Sequence, residues 1–312
     1  MYKNLAVVIP FYKASYFETL LEALVAQTNQ NFNVYIGNDC SPSNPYPMIK
    51  QYNGKLNIIY RNFDDRLGHI SLTKQWDRCV EMVKDEEWVW VLPDDDVPSN
   101  NVVEEFYQAL NLEKKYQIKV FRFPISLIDH NGNITKEMNY NDPVVETNLE
   151  FYQRVVRGKA VASLGDNIFH KRSLLENGGF VNFLKAWGSD HATILQVSAG
   201  GLIYFLSNAR LYFRMSGENI SSDSKDGVIK LNARIMFAKW LKKNECIFPQ
   251  KPDQELYMKF YLKTEYYILN EWGFDVSIFG NLYKLRRICF DETAILPVGS
   301  VFWKKVIGMY LQ

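Results

Sequence analysis

The sequence predicts an α/β protein whose core is a mostly parallel sheet flanked by helices. Short apolar runs with the length of strands alternate with amphipathic helical patterns through residue 123. This alternation is typical of parallel strands joined by helical crossovers, which cover both faces of a sheet. At 312 residues the chain is long enough for one large domain or two smaller ones.

Five apolar runs have strand length, and most are rich in β-branched or aromatic residues. They are residues 5–9, 32–36, 56–60, 88–92 and 118–123. Helical patterns lie between the runs. Residues 15–27 open with Ser15 and Glu18 at the spacing of a capping box. Further amphipathic patterns cover 70–84 and a segment that begins at Asn101.

The alternation stops after residue 123. The "DHNGN" turn between two apolar patches predicts a hairpin built on Asn131 and Gly132. A helix near 149–157 follows and ends at Gly158.

Beyond Ser221 the chain changes character. Residues 231–244 and 254–272 have helical, basic and aromatic patterns. We therefore predict an α/β domain over 1–226 and a helical C-terminal region over 227–312.

Composition excludes several classes of protein. The chain is 47% hydrophobic and 23% charged, as in ordinary globular proteins, and its net charge of +1 lacks the field that draws proteins to nucleic acid. The four cysteines are widely spaced, which argues against a zinc site or a disulfide scaffold. Neither a signal peptide nor a membrane span is predicted. We expect a cytoplasmic protein with a small-molecule partner.

Polar clusters follow four of the predicted strands. They are residues 10–13, 37–44, 61–69 and 93–97. Ligands of open parallel sheets bind beyond the carboxyl ends of the strands, so these clusters should meet at one edge.

The most specific cluster is Asp94, Asp95 and Asp96, directly after a buried-looking strand. Adjacent carboxylates repel one another and resist burial. Carboxylate oxygens suit Mg²⁺ or Mn²⁺, and such an ion commonly bridges to substrate phosphates. The alternative is that these acids form a turn and cap the helix after Pro98.

Three loop residues each have two interpretations. Asp39 either accepts a hydrogen bond from a base N–H or forms an Asx turn, and Tyr12 either stacks on a base or is a surface aromatic. Arg66 either binds a diphosphate or pairs with Asp64 or Asp65.

Asp190 lies at the predicted start of a helix, after Gly188 and Ser189. It is either an N-cap or a general base, because a shielded carboxylate beside a pocket can have its pKa raised to a useful value. His191 is its neighbour, whereas the other three histidines are interpreted as structural or solvated.

Six motifs resemble the family 2 glycosyltransferases of the GT-A fold. In order they are "VVIPFYK", "IGNDCSPS", "RLGHISLTKQWDRCVE", "VWVLPDDDV", "WGSDHATIL" and "YFRMSGENIS". The resemblance runs from Leu5 to about Ser221 and implies a GT-A nucleotide-binding fold, with the C-terminal helices as an addition.

The resemblance also implies roles for individual residues. Pro10 and Tyr12 would line a nucleoside pocket, and Asp39 would bind the base. The Asp94–Asp96 cluster would be the Asp-x-Asp element that holds Mn²⁺ or Mg²⁺ on a nucleotide-sugar diphosphate. Asp190 would be the base of an inverting displacement.

Five positions differ from the family pattern: Lys13 replaces Asn, Cys40 replaces Gly, Pro93 replaces Asp, Ser189 replaces Glu, and Ser216 replaces His. Because Pro93 follows the strand, the acidic triplet fits the Asp-x-Asp element in two registers. We favour Asp95 as the direct metal ligand.

The resemblance implies a UDP-sugar donor and a glycan or lipid-linked acceptor. Two rival functions are a catalytically inactive nucleotide-sugar scaffold and a sugar-nucleotide pyrophosphorylase. The second rival requires a glycine-rich phosphate loop after the first strand, and "PFYKASY" has none.

Basic and aromatic residues mix in the C-terminal region, as they do in helices at a membrane surface. They are Lys239, Trp240, Lys242, Lys243, Trp303, Lys304 and Lys305. The pattern predicts either peripheral contact with the inner face of a membrane, or packing on the catalytic domain or on a second copy of the chain.

Overall fold

The computed structural model describes residues 3–217, 227–270 and 277–289. Its centre is an eight-stranded sheet. With strands numbered along the chain, the spatial order is β3 (Ile58–Asn62), β2 (Phe32–Asn38), β1 (Leu5–Phe11), β4 (Trp88–Val91), β10 (Asn167–His170), β6 (Ile118–Arg122), β11 (Leu202–Phe205) and β9 (Val145–Glu146).

The predicted mostly parallel sheet is confirmed. β1 pairs in parallel with both β2 and β4, and β2 pairs in parallel with β3. β10 makes the sheet mixed, because it runs antiparallel between β4 and β6. All five predicted strands form, although the third begins at Ile58 rather than at residue 56.

A second sheet of four strands forms beside the first. Its order is β5 (Val97–Pro98), β12 (Leu211–Arg214), β7 (Ile125–Ile128) and β8 (Ile134–Met138). The predicted hairpin is confirmed: β7 and β8 are antiparallel, and Gly132 adopts a φ of +90° in the turn. β5 directly follows the acidic triplet and pairs with β12, so this sheet brings Arg214 to the acids.

Helices cover both faces of the large sheet. Before residue 217 they are α1 (Phe17–Val25), α2 (Tyr46–Gln51), α3 (Leu72–Val80), α4 (Val102–Leu110), α5 (Glu113–Tyr116), α6 (Asn148–Val156), α7 (Lys171–Glu176) and α8 (Ser189–Val197). Successive residues of β1 point to opposite faces. Val7 packs with α1 and α4, whereas Val8 packs with α3, α6 and α8.

One predicted helix start is wrong. α1 begins at Phe17 with Tyr16 at its N-cap, and no side chain caps it. Ser15 therefore lies outside the helix, so it cannot form the predicted capping box with Glu18. A capping box does form at α6, where Thr147 and Glu150 exchange hydrogen bonds.

Three further helices follow, namely α9 (Gly227–Lys243), α10 (Gln254–Asn270) and α11 (Ser277–Cys289). Leu231, Phe260 and Leu285 from these helices join the same core cluster as Val8. Within the three described ranges, no helix is long and apolar enough to cross a membrane. The predicted boundary near 226 and the residues Trp303, Lys304 and Lys305 lie outside those ranges.

Candidate active site

Three of the polar clusters meet at one edge of the large sheet. The neighbouring strands β1, β2 and β4 are parallel, so the loops after them emerge side by side. Asp39 lies just after β2, and its backbone N–H donates to the carbonyl of Phe11 at 3.0 Å. Leu92, after β4, donates to the carbonyl of Val8 at 2.9 Å. Tyr12, Asp39 and the acidic triplet therefore occupy one edge.

Asp94 connects two of these loops. Its Oδ2 accepts hydrogen bonds from the backbone N–H groups of Tyr12 and Lys13, both at 2.7 Å. The pKa of Asp94 is raised to about 7, because burial and then the charge of Asp95 outweigh the lowering effect of the two N–H donors. The Asp94 side chain thus fixes the loop after β1.

Asp96 is the most enclosed member of the triplet, with only 1% of its surface exposed. Its Oδ1 accepts the backbone N–H of Arg214 at 3.0 Å, and the Arg214 Nε donates to the carbonyl of Asp95 at 2.9 Å. Within the described part of the chain, no group donates to Asp96 Oδ2. Burial and the charge of Asp95 raise the pKa of Asp96 well above its ordinary value.

The alternative interpretation of the triplet is correct for the turn, which Asp94 and Asp95 form, but wrong for the helix cap. α4 begins at Val102, and Asn101 occupies its N-cap. The acids instead bind backbone N–H groups of the loop after β1 and of β12.

The triplet fits a divalent cation that keeps water ligands. Within the described ranges, no group of three or more His, Cys, Asp or Glu side chains surrounds a common point. Mg²⁺ and Mn²⁺ need no such group, because one or two carboxylates suffice when phosphates and water supply the rest. Burial, followed by the charge of Asp95, raises the pKa of Asp94 and of Asp96, so their ionised forms are disfavoured. No donor among the described residues reaches the second oxygen of Asp96. A bound cation would stabilise the ionised carboxylates and supply a partner for that oxygen.

Asp39 is 4% exposed and is surrounded by donors. Its Oδ1 accepts the backbone N–H of Leu67 at 2.7 Å, and its Oδ2 accepts that of Gly68 at 2.9 Å. The Arg78 guanidinium donates to Oδ1 at 2.5 Å and also pairs with Asp65 at 2.8 Å. Asp39 therefore holds the loop after β3 against the end of β2.

Arg66, in that same loop, lies over Tyr12. Its guanidinium carbon is 4.2 Å from the centre of the ring, within the range of a cation–π contact. Arg66 pairs with neither Asp64 nor Asp65, the two partners considered, and Asp65 binds Arg78 instead. Tyr12, Arg66 and Asp94 thus form one contiguous group, since Asp94 binds the Tyr12 backbone.

Asp190 lies in the first turn of α8. The predicted N-cap role is wrong, because Gly188 occupies the N-cap with a φ of +82°. Asp190 Oδ1 accepts the backbone N–H of His191 at 2.8 Å and lies 2.9 Å from the His191 Nδ1. The His191 ring stacks on Phe151 at 6.4 Å between centres.

Two residues at the edge were not predicted. Arg78 pairs with Asp39 from α3, and Arg214 clamps the acidic triplet from β12. Arg78 lies about one turn after the buried Gln75 on α3. This position next to a buried face was the only local signal that the Arg78 charge requires a partner.

The comparisons with known proteins agree with this geometry. The model of the family described as glycosyl transferase family 2 matches residues 6–176, more than half of the chain. The chain belongs to this family. It is a glycosyltransferase, as the resemblance predicted. A comparison with curated proteins returned no match.

Solved structures show that this family 2 member has the GT-A fold. S. aureus TarS (residues 1–349), in complex with UDP-GlcNAc, has 16% sequence identity and a TM-score of 0.66, over 90% of this chain and 79% of TarS. The mannosyltransferase PcManGT from Pyrobaculum calidifontis, in complex with GDP-Man and Mn²⁺, has 12% identity and a TM-score of 0.55, over 100% of this chain and 81% of PcManGT. At such identities the likeness shows the fold alone.

Proposed function

We propose that this glycosyltransferase transfers a sugar from a nucleotide-diphosphate sugar, with a UDP-sugar as the first candidate, to an acceptor hydroxyl. The observation that carries the proposal is the contiguous group at the sheet edge. There, Asp94 holds the loop that presents Tyr12, and Arg66 lies over the Tyr12 ring. This group combines an aromatic face, a cation and crowded acids, which suit a base, a diphosphate and a metal respectively.

The complexes of similar structures support a donor of this kind. TarS was solved with UDP-GlcNAc and PcManGT with GDP-Man and Mn²⁺. UDP is the first candidate here because TarS has the higher TM-score.

We assign the nucleoside to Pro10, Tyr12 and Asp39. The Asp39 carboxylate receives three hydrogen bonds from Leu67, Gly68 and Arg78. A carboxylate has about four acceptor positions, so one remains for a base N–H. The rigid support from two backbone amides would fix the position of that acceptor.

We assign direct metal coordination to Asp95. Asp95 lies between Asp94 and Asp96 on the half-buried rim of the sheet edge, and the resemblance to the Asp-x-Asp element includes it in both registers. A bound Mn²⁺ or Mg²⁺ would supply positive charge that stabilises the departing diphosphate. Arg66, beside Tyr12, is placed to pair with the same diphosphate.

We assign the general base to Asp190. Both of its contacts with His191 use Oδ1, so Oδ2 is the oxygen that would take the proton of the acceptor hydroxyl. The acceptor oxygen then bonds to the anomeric carbon as the bond from that carbon to the diphosphate oxygen breaks. The nucleoside diphosphate leaves, and the anomeric configuration inverts.

The test is a screen of UDP- and GDP-sugars for hydrolysis by the full chain, with Mn²⁺, with Mg²⁺ and with a chelator. The expected result is release of nucleoside diphosphate from one donor, with loss of the activity in the chelator. Nucleotide binding without turnover of any donor would overturn the proposal and favour the inactive scaffold. A glycan or lipid-linked acceptor and contact with a membrane stay predictions.

A further inference from the structure

The C-terminal helix α9 packs directly on the segment that leads into Asp190. The Phe237 ring lies against Gly188, where an added Cβ would come within 3.2 Å of it. About two turns towards the start of α9, the Nζ of Lys230 lies 4.5 Å from the centre of the Trp187 ring. Lys230, Arg234 and Phe237 are spaced to share one face of the helix. Arg234 is therefore carried on the face that meets the Asp190 segment.

The guanidinium of Arg234 lies among aromatic rings. It is 4.8 Å from the centre of the Phe260 ring and 5.9 Å from that of Tyr267, both on α10. Among the residues that the structure describes, no oxygen accepts a hydrogen bond from Arg234, and no carboxylate lies within ion-pair distance of it. The nearby carboxylate with which its charge interacts is Asp190.

A second polar group in this region also lacks a partner. The Tyr152 side chain is 1% exposed, and within the described ranges its hydroxyl makes no hydrogen bond. The Tyr152 ring packs at 5.6 Å between centres on Phe237, which follows Arg234 by three residues on α9. Buried polar groups are normally hydrogen-bonded, so the Tyr152 hydroxyl, which has no partner among the described residues, can serve a ligand oxygen.

A second cation lies near Arg234. Lys263 on α10 donates to the carbonyl of Val155 at 2.5 Å. The pKa of Lys263 is lowered to about 8, first by burial and then by the charge of Arg234. The two cations repel each other, and an anion bound beside them would relieve that repulsion.

We propose that Arg234 is the anchor of an acceptor subsite that binds a phosphate group, so that a hydroxyl near this phosphate reaches Asp190. The planar fork of a guanidinium binds two oxygens of a phosphate at once, and the ring faces of Phe260 and Tyr267 hold that fork in place. The proposal rests on the proposed function for the role of Asp190. It gives the C-terminal helices a part in the choice of acceptor.

The test measures binding of inorganic phosphate and of glycerol phosphate to the full chain by calorimetry, with saturating UDP and Mg²⁺ to fill the donor region. Glycerol is the uncharged control ligand. The variants are Arg234→Met and the matched control Arg172→Met, whose guanidinium pairs with Glu176 on the exposed surface. We expect the wild type and Arg172→Met to bind both phosphates equally and glycerol not at all. Arg234→Met should bind phosphate at least tenfold more weakly, with its affinity for UDP unchanged.

Two results would overturn this subsite: no phosphate binding by the wild type once UDP is bound, or equal phosphate binding by wild type and Arg234→Met. Should Arg234→Met fail to fold, Arg234→Lys retains the charge without the fork. It should weaken phosphate binding about threefold or more, and an unchanged affinity would overturn the proposal. Donor hydrolysis by the wild type is scored separately. Its absence would reject the proposed function, whereas the phosphate measurements judge the subsite alone.

Discussion

Two regions of this protein are built in different ways. One is the sheet edge proposed to bind the donor, called the donor edge, with Tyr12, Asp39, Arg66 and the acidic triplet. The other is the region proposed to bind the acceptor, called the acceptor edge, with Asp190 and the nearby parts of α9 and α10. At the donor edge, Asp39, Asp94 and Asp96 all accept backbone N–H groups at 2.7 to 3.0 Å. At the acceptor edge, the contacts of Asp190 within the described ranges are the backbone N–H and the Nδ1 of its own neighbour His191. Phe237 of α9 packs on Gly188, just before Asp190. The donor edge is held by backbone, and the acceptor edge by packing between helices.

This difference suggests where change can be tolerated. Backbone amides depend little on which side chains surround them, so we expect the donor edge to tolerate substitutions of neighbouring side chains. The acceptor edge depends on helices whose contacts are mostly between side chains. We therefore expect variants at the acceptor edge to alter turnover and acceptor choice, and variants at the donor edge to alter nucleotide binding or stability.

The largest effect is expected at Asp190, where a variant should change turnover without changing nucleotide binding. Asp190→Asn removes the proposed base while its amide oxygen can still accept the His191 N–H. We expect kcat for transfer to fall by about 10²- to 10⁴-fold, the usual contribution of general-base catalysis. The affinity for UDP with Mn²⁺, measured by calorimetry, should not change. Glu176→Gln on the exposed face of α7 is the control. Normal turnover in Asp190→Asn would place the base elsewhere.

The next variant tests the donor edge. Asp95→Asn removes the proposed metal ligand, so we expect the Mn²⁺ concentration for half-maximal activity to rise about tenfold or more. UDP affinity with metal should approach its metal-free value. Glu137→Gln, an exposed acid on β8, should leave the metal titration unchanged. An unaltered titration in Asp95→Asn, together with an altered one in Asp94→Asn, would reverse the assignment within the triplet.

A third variant tests how firmly the donor edge is held. Arg78→Met leaves the buried Asp39 carboxylate without its ion pair, which should lower the free energy of unfolding by about 2–3 kcal/mol. The matched control is Arg61→Met, because Arg61 also lies over the Phe63 ring but is exposed. It should cost about 0.5 kcal/mol or less. Equal decreases in the free energy of unfolding of the two variants, measured in urea, would show that the contact with the Phe63 ring and not the ion pair stabilises the protein.

The smallest effect concerns the connection between the edges. Asp77 on α3 accepts the backbone N–H of Phe180 at 2.9 Å, and so fixes the segment that leads towards Asp190. Burial raises the pKa of Asp77 to about 6 from 3.8. The folded protein therefore holds this proton more tightly than the unfolded chain does. The stability it contributes is present below about pH 4 and is lost as the pH rises through about 6.

Asp77→Asn cannot ionise but retains an acceptor for Phe180. It should match the wild type in stability at pH 4 and exceed it by about 1–2 kcal/mol at pH 7.5, a figure reduced because the group is partly exposed. Thermal and urea unfolding at both values of pH measure this difference. A variant less stable than the wild type at pH 7.5 would show that the ionised carboxylate strengthens the connection.

Much of the fold could be predicted because its signals are local. Apolar runs identified the five strands, and Asn131 with Gly132 identified the hairpin. The capping box at Ser15 was wrong because a spacing of three residues does not fix where a helix begins. The family pattern has Gly at Cys40, and the left-handed φ of +52° at Cys40 gives the physical reason for that preference.

The candidate site was predicted only in part. Sequence identified Tyr12, Asp39 and the acidic triplet, because parallel strands deliver such residues to one edge. The sequence could not assign different roles to the three acids, since three adjacent identical residues give no local signal of where each side chain points. It also missed Arg78 and Arg214, whose partners lie 39 and 118 positions away along the chain.

The sequence by itself determined that strands alternate with helices and that acids follow the fourth strand, because periodicity and strand ends are properties of neighbouring residues. Tertiary structure alone decided which oxygen meets which amide, as when Asp94 binds the backbone of Tyr12, 82 positions away. It also decided that Phe237 of α9 would pack on Gly188, just before Asp190. Such contacts depend on where the folded chain places distant segments, and no local pattern encodes that placement.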